Sequence, residues 1–215
     1  MSPRILGVIP ARYASSRLPG KPLVDIGGRS MVMRVFDQAT KASSLSSIVV
    51  ATDDNRIAEH VMSQGGKVVM TSPDHPSGTD RCWEALQTVG ADGFDAVVNI
   101  QGDEPFIVPA QIDELCAQIT KPDAAIATLA QIVTDDKDLD DPGEVLITTD
   151  IHMNALYFSR AAIPDGASEA PVTRAVDGGD AIDELDGVVH SYGFVIRASE
   201  FGFDGFSPVA VGEHP

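Results

Sequence analysis

Cysteine is scarce in this chain, with two residues among 215, and the two lie far apart in the sequence, at Cys82 and Cys116. A cysteine-based metal site needs closely spaced pairs, so this class of site is excluded. Two unpaired thiols in a chain of this size are typical of a reducing, cytosolic environment. Both cysteines fall in segments with helical patterning, and we expect them to pack in the core.

Positive charge and long apolar runs are also in short supply. Fifteen Lys and Arg residues stand against 32 Asp and Glu, which gives a formal net charge of -17 and a pI near 4.4. Nucleic acids and anionic membranes need large basic surfaces, so neither is an expected partner. The N-terminal apolar run, residues 5–9, is too short for a signal-peptide core or a membrane span. We expect a cytoplasmic protein.

Short apolar segments alternate with helical periodicity through most of the chain, which predicts one α/β domain with a mostly parallel sheet wrapped by helices. The length leaves no room for a second large domain. The predicted strands are residues 5–9, 48–51, 67–70, 96–100 and 125–129. The predicted helices are residues 31–42, 55–64, 80–89 and 109–119.

The first strand leads into a loop with three cations and a glycine, Arg12, Arg17, Gly20 and Lys21. Arginine offers planar, forked donors, lysine offers a mobile positive charge, and glycine lets the backbone approach a ligand closely. These properties suit a polyphosphate, above all a nucleoside triphosphate. The Walker motif fails because it requires glycine and Ser/Thr where this chain has Ser15 and Pro22, and the Rossmann glycine pattern is absent. Basic loop residues are often merely solvated. However, residues 1–34 hold six basic side chains and one acidic side chain in an acidic protein, which favours a retained anion site.

Two further polar motifs follow predicted structural elements at the same expected edge of the sheet, at residues 77–81 and 101–105. Open α/β sheets bind ligands beyond the carboxyl ends of their strands. Asp103 is a hard carboxylate after a buried strand and can begin a Mg²⁺ site, since magnesium uses one or two carboxylates together with phosphates and waters. The alternative is an ordinary turn, because Gly-Asp-Glu-Pro is also good turn chemistry.

The second part of the chain, from about residue 135, is rich in carboxylates and poor in cations. There we expect a short helix near 137–141, strands at 145–149, 154–158 and 188–196, and a mobile loop at 165–187. Arg160 leaves one of these strands, where it forms either a surface ion pair or a fork for a carboxylate. His190 is either a ligand contact or, as is more common beside apolar residues, a satisfied structural side chain.

Six motifs, taken in order, closely resemble the family of 3-deoxy-manno-octulosonate (Kdo) cytidylyltransferases, also called CMP-Kdo synthetases. The resemblance covers about residues 4–164, and the long first motif and Tyr-Phe-Ser-Arg separate it from other sugar nucleotidyltransferases. The motifs are IPARYASSRLPGKPL (9–23), VATDD (50–54), MTS (70–72), SGTDR (77–81), NIQGDEP (99–105) and ALYFSRAAIP (155–164).

The resemblance implies a nucleotide-diphospho-sugar transferase fold with a small mixed β extension, usually homodimeric. It implies that CTP and Kdo are joined with Mg²⁺ to give CMP-Kdo and pyrophosphate for lipopolysaccharide synthesis. A nucleotide-binding part, residues 1–134, would precede a sugar-binding and dimerisation part, residues 135–215. The implied nucleotide-binding residues are Ala11, Arg12, Arg17, Lys21, Ser77, Gly78 and Arg81. The implied sugar-binding residues are Gln101, Arg160 and His190, the implied metal ligand is Asp103, and the implied catalytic residues are Arg12, Lys21 and Asp103.

The chain departs from the family pattern after residue 164. Around the sugar-binding histidine the family has His-x-Gly-x-Tyr-x-Tyr-Arg, whereas this chain has Tyr192 and Phe194 in place of the glycine and the first tyrosine. The family also continues with a Gly-Val-Asp-Thr-Pro element whose aspartate is the second metal ligand. The present sequence contains no such element. Three explanations are open: the sequence is truncated, another acid takes that role, or this copy is catalytically weak.

Two other functions compete with this reading. One is a cytidylyltransferase for another acidic sugar, including a nine-carbon or amino-substituted one, and the Tyr-Phe-Ser-Arg element argues against it. The other is a non-catalytic homologue that binds CTP without turning it over.

Overall fold

A computed structural model describes residues 2–14, 18–75, 77–121, 124–132, 145–149, 154–159, 173–175, 194–197 and 209–212. The strands are β1 (Ile5–Ala11), β2 (Leu45–Thr52), β3 (Val68–Met70), β4 (Ala96–Asn99), β5 (Ile126–Ile132), β6 (Val145–Thr149), β7 (Asn154–Ser159), β8 (Thr173–Ala175), β9 (Phe194–Arg197) and β10 (Val209–Gly212). The helices are α1 (Met31–Ala39), α2 (Asn55–Ser63), α3 (Gly78–Val89) and α4 (Pro109–Gln118), and short 3₁₀ turns occupy Lys21–Leu23 and Ala91–Gly93.

The ten strands of the described part of the chain belong to one sheet, in the order β10-β7-β6-β8-β5-β9-β4-β1-β2-β3. β1 pairs in parallel with β2 and β4, and β2 pairs in parallel with β3. β9 lies between β4 and β5 and is antiparallel to both. β6, β7 and β8 add antiparallel pairings, while β10 pairs in parallel with β5 and antiparallel with β7. The predicted sheet with a mixed extension is confirmed.

Alternating side chains of β1 enter two separate cores, as expected for a strand covered on both faces. Ile5 and Ile9 pack with α1, α2 and α4, while Leu6 and Val8 pack with α3. The layers therefore form a helix–sheet–helix arrangement that fixes the carboxyl ends of β1, β2, β3 and β4 at one edge. Within the described residues, no helix is both long enough and apolar enough to span a bilayer.

Local sequence signals explain the helix ends. The Asp54 carboxylate accepts the Arg56 backbone N–H at 2.9 Å and caps α2, and Ser77 caps α3. Gly65 follows α2 with a φ of 83°, a backbone conformation that glycine adopts most easily. The predicted strands and helices up to residue 132 are all present, with ends that differ from the prediction by up to three residues.

Both cysteines lie in helices and are buried, as predicted. Burial raises the pKa of the Cys82 thiol to about 12 and that of Cys116 to about 11. A thiol with a pKa this high stays protonated near neutral pH and is a poor nucleophile. The two residues therefore serve packing.

One expectation for the second part of the chain is wrong: the predicted mobile loop at 165–187 contains a strand, β8, which pairs with β5 and β6. Three residues are too few to show strand periodicity, so long-range pairing alone defines this element. The strands predicted at 145–149 and 154–158 are present, and residues 194–196 of the predicted 188–196 strand lie in β9. The predicted helix at 137–141 lies outside the described residues.

Candidate functional site

The loop after β4 lies directly against the end of β1. The Ile100 backbone N–H donates to the Val8 carbonyl at 2.8 Å, and a Cβ atom placed on Gly102 would lie 2.5 Å from the Pro10 carbonyl oxygen. Real side chains do not tolerate so short a contact with backbone, so only glycine fits here. This close approach brings the 101–105 motif beside the cation-rich loop.

The loop that follows β1 is closed at its neck by a backbone hydrogen bond, 2.8 Å long, from the Gly20 N–H to the Tyr13 carbonyl. Gly20 has a φ of 73°, a left-handed conformation that suits glycine. A 3₁₀ turn, Lys21–Leu23, begins immediately after it. The neck therefore sets the direction in which Lys21 leaves the loop.

Lys21 and Asp103 meet across these two loops, with 2.6 Å between Nζ and Oδ2. Their side chains are 37% and 39% exposed, so water and a ligand can reach both. An exposed ion pair of this kind contributes little to stability. The pair instead places one mobile cation and one hard carboxylate at the same point of the sheet edge.

The N-terminus of α3 completes this edge. Ser77 caps the helix, and Gly78 lies close enough to β1 and β4 that an added Cβ would be 3.6 Å from the Pro10 Cγ and 3.9 Å from the Asn99 Nδ2. Unpaired N–H groups and the helix dipole make such a terminus favourable for an anion. Arg12, the first cation of the loop, reaches the carbonyl of His75 just before this helix at 3.5 Å.

Arg81 occupies a different environment, because its side chain is completely buried beneath this edge. Its guanidinium donates to the Thr71 hydroxyl and lies 3.6 Å from an Asp53 carboxylate oxygen. Burial lowers the pKa of Arg81, the Asp53 charge opposes that change, and the nearby Arg12 charge adds to it. Among the residues that the structure describes, its Nε and Nη2 atoms are buried and have no hydrogen-bond partner. Its predicted place near the nucleotide stays a prediction.

A second contact holds the segment between β3 and α3. The Glu84 carboxylate of α3 contacts the His75 ring and accepts the Ser72 backbone N–H at 2.8 Å. These two hydrogen bonds, the His75 bond first, lower the pKa of Glu84. The segment that supplies the Arg12 contact is thus tied to the helix that follows it.

The other predicted site residues divide into two groups. Ala11 ends β1, and Gln101 lies in the loop with Asp103, so both stand at the same edge. Arg17, Arg160 and His190 lie outside the described residues. In the part of the chain that the structure describes, no three His, Cys, Asp or Glu side chains form a metal-binding cluster.

Sequence reasoning missed three contributors to this edge. Asp53 is not among the predicted site residues, although it follows β2 as Asp103 follows β4, and that shared position is the available signal. The close approach at Gly102 and a stack of Arg56 on the Tyr13 ring depend on long-range packing. Nothing in the local sequence around these residues indicates either contact.

An open α/β sheet with cations, close-packed glycines and a helix N-terminus at its carboxyl edge is typical of nucleotide-binding enzymes. The model of the cytidylyltransferase family matches residues 6–194. The chain belongs to the cytidylyltransferase family.

Several relatives are similar over about three quarters of this chain. The 3-deoxy-manno-octulosonate cytidylyltransferase of Cytophaga hutchinsonii is 48% identical over 160 residues, which are 74% of this chain and 63% of that protein. The 8-amino-3,8-dideoxy-manno-octulosonate cytidylyltransferase of Shewanella frigidimarina is 48% identical over 161 residues, or 74% of this chain and 66% of that protein. The chain thus spans somewhat less than two thirds of the length of these relatives.

Solved structures agree with the fold. A CMP:2-keto-3-deoxy-manno-octonic acid synthetase complexed with CTP superposes with a TM-score of 0.77 and 34% identity, covering 91% of this chain and 75% of that one. A 4-diphosphocytidyl-2C-methyl-D-erythritol synthase from Anaerococcus prevotii has a TM-score of 0.56 at 13% identity over 99% of this chain and 89% of its own. The second likeness bears on the fold alone.

Proposed function

We propose that this protein transfers CMP from CTP to the anomeric hydroxyl of Kdo, with release of pyrophosphate. The observation that carries the proposal is the meeting of Lys21 and Asp103, from two different loops, at 2.6 Å and open to solvent. A triphosphate needs a cation at this edge, and a metal–phosphate complex needs a hard carboxylate beside it. Relatives 48% identical to the chain carry out a transfer of this type according to their names.

In the proposed reaction the anomeric oxygen attacks the α-phosphorus of CTP in line. The new bond joins that oxygen to the α-phosphorus, the bond to the bridging oxygen breaks, and the hydroxyl proton is released. Catalysis of such a step depends on positioning and charge stabilisation, and no protein nucleophile is needed. Arg12, Arg17 and Lys21 would hold the triphosphate and stabilise the charge on the departing pyrophosphate.

The remaining contacts of CTP are assigned to the edge formed by Ala11, Ser77 and Gly78, with Arg81 beneath it. In this assignment the α3 N-terminus offers backbone N–H groups and Arg81 supports the segment from below. The sugar would be bound by Gln101, Arg160 and His190, with the Arg160 fork facing the carboxylate of Kdo. Arg160→Ala should raise the Kdo concentration required for turnover and leave CTP binding unchanged.

The residues present fit a magnesium ion at Asp103. The carboxylate is an oxygen ligand, it is accessible, and Mg²⁺ commonly takes one or two protein carboxylates while the substrate phosphates and waters supply the rest. When bound, the ion would neutralise phosphate charge. Asp103 would hold it, and Lys21, now paired with that carboxylate, would turn to the phosphates.

A second candidate sugar is favoured by one observation. The Shewanella frigidimarina relative, named for the 8-amino sugar, is as similar to this chain as the relative named for Kdo, with 48% identity in each case. Both sugars carry the same carboxylate and anomeric centre, so the residues assigned above serve either. The difference lies at the far end of the sugar.

The test is pyrophosphate release from CTP and Mg²⁺ with Kdo, with its 8-amino analogue, with a sialic acid, and with no sugar. We expect pyrophosphate release that depends on Kdo. Its rate should be lower by at least about 100-fold in Asp103→Ala. Preference for the amino sugar would move the assignment to that substrate. CTP binding in a calorimeter without release for any sugar would identify a non-catalytic homologue.

The proposal extends to the setting of the enzyme: a cytoplasmic homodimer whose product is consumed in lipopolysaccharide synthesis. The homodimer and the pathway are what the family resemblance implies, and the cytoplasmic setting is what two unpaired cysteines are typical of. Sedimentation of the purified protein would test the dimer directly, and a monomer with full activity would contradict it.

A further inference from the structure

Tyr13 lies between two partners in the neck of the loop that follows β1. A Cβ atom placed on Gly20 would be 3.1 Å from the nearest Tyr13 ring carbon, so the ring fills the space that a side chain at position 20 would need. The guanidinium carbon of Arg56, from α2, lies 3.2 Å from the centroid of the same ring. The ring thus joins the loop to a helix of the scaffold.

Arg56 is itself held in place by Asp54, the residue that caps α2. Its Nε and Nη2 atoms donate to the two oxygens of this carboxylate at 2.9 and 2.6 Å. A bidentate fork fixes the plane of a guanidinium, and a fixed plane is what stacking on an aromatic face requires. The side chain is 59% exposed, so it adds little to the core.

The order of residues links this stack to the site. Tyr13 follows Arg12, its carbonyl accepts the Gly20 N–H at 2.8 Å, and Lys21 comes directly after Gly20. Movement of the ring away from Gly20 would loosen this neck and change the direction in which Lys21 reaches Asp103. A contact made by α2 therefore acts on a cation to which it is not bonded.

We propose that Arg56 is a positioning residue for the loop that follows β1. Held by Asp54, Arg56 keeps the Tyr13 ring against Gly20. This contact directs Lys21 toward Asp103 and the triphosphate. The part that concerns the triphosphate rests on the proposed function. The part that concerns the loop neck does not, and the two are measured separately.

Arg56→Met tests the proposal, since it keeps the apolar stem and removes the charge and the fork. Hydrogen exchange at the Gly20 amide reports on the neck without any ligand, and calorimetry reports the dissociation constant for CTP. We expect Gly20 exchange to be faster, and CTP binding weaker, by about two- to fivefold, the range for an exposed cation–π contact. Arg56→Lys should recover part of both effects because a cation remains over the ring.

Arg29 provides a matched control. It forms a similar bidentate pair with Asp37 of α1, at 2.8 Å for both bonds, but it lies in the turn before α1 and is not part of the site. Arg29→Met should leave Gly20 exchange and CTP affinity unchanged. In Tyr13→Leu the stack is already lost, so adding Arg56→Met to that variant should cause no further change.

The outcomes separate the proposal from the proposed function. Unchanged Gly20 exchange in Arg56→Met, with lower thermal stability only, would reduce the contact to a helix-capping pair and overturn the proposal. Faster exchange with unchanged CTP affinity would overturn the link to Lys21. Faster exchange in a protein that does not bind CTP at all would support the neck contact and contradict the proposed function.

Discussion

Two aspartate–cation pairs lie at the same edge of the sheet and have opposite roles. Asp103, after β4, pairs with Lys21, and both side chains are more than a third exposed. Asp53, after β2, faces Arg81, whose side chain is completely buried. The same two kinds of charge thus build an accessible site in one place and support it from below in the other.

Burial decides the difference. In water-exposed pairs the attraction is screened and is worth about 0–1 kcal/mol, whereas removing one partner of a buried pair leaves an uncompensated charge and costs about 3–5 kcal/mol. The Lys21–Asp103 pair can therefore open for a ligand at low cost. The Arg81–Asp53 pair cannot, because opening it would leave the buried guanidinium without its counter-charge.

The largest expected effect comes from breaking the buried pair. Asp53→Asn removes the charge that faces Arg81 and should lower the free energy of unfolding by about 3–5 kcal/mol. Urea denaturation measures this directly. Asp103→Asn is the matched control and should change the same quantity by less than about 1 kcal/mol. Equal effects of the two substitutions would contradict the comparison.

The next effect concerns the contact that brings the accessible pair together. Gly102→Ala would place a Cβ atom 2.5 Å from the Pro10 carbonyl oxygen, so the loop must shift, at a cost of about 1–3 kcal/mol. Gly93→Ala is the control, because the nearest atom to its Cβ is the end of the Arg4 side chain at 3.7 Å. The free energy of unfolding and the CTP dissociation constant should both change in Gly102→Ala. Neither quantity should change in Gly93→Ala.

The accessible pair should respond in ligand binding and hardly at all in stability. Lys21→Met removes a positive charge 2.6 Å from the Asp103 carboxylate, which should tighten Mg²⁺ binding to the nucleotide-free protein several-fold and weaken CTP binding. The free energy of unfolding should change by less than about 1 kcal/mol. Calorimetric titration with Mg²⁺ alone is the measurement, and weaker Mg²⁺ binding in the variant would argue against a metal at Asp103.

The smallest effect is one of pH. The His75 and Ser72 hydrogen bonds lower the pKa of Glu84 in the folded state, so its contribution to stability is present above the unfolded pKa, about 4.3. That contribution is lost as the pH falls through the lower folded value. Between pH 6 and pH 3, the melting temperature of Glu84→Gln should therefore fall less than that of the unaltered protein. Equal falls would show that the Glu84 contacts do not contribute.

The edge of the sheet was predictable because parallel strands end on the same side. That rule alone places Lys21 and Asp103 near each other, and the alternating apolar segments predict the strands that carry them. It does not say which of two adjacent aspartates, Asp53 or Asp54, faces Arg81, since that depends on where β2 ends and α2 begins. The contact between Arg56 and Tyr13 is likewise fixed by the packing of α2 and not by local sequence.

The order of strands was less accessible to sequence reasoning than their existence. Periodicity describes a strand's faces, but the choice of partner depends on long-range hydrogen bonds. β8 is too short to have a pattern, and the apolar segment that becomes β9 carries no mark of its place between β4 and β5. Topology in the second part of the chain had to come from the structure.

The place of β9 has a consequence for how the chain folds. Arg197, at the end of this strand, donates to the carbonyls of Ile119, Lys121 and Ala124, so the strand is fastened to the connection between α4 and β5. During synthesis, β4 and β5 leave the ribosome well before the strand that joins them. Until β9 is synthesised, the edges of β4 and β5 that pair with it stay without this partner. Completion of the central sheet is therefore a late step that depends on long-range pairing, and exposed strand edges favour aggregation until then.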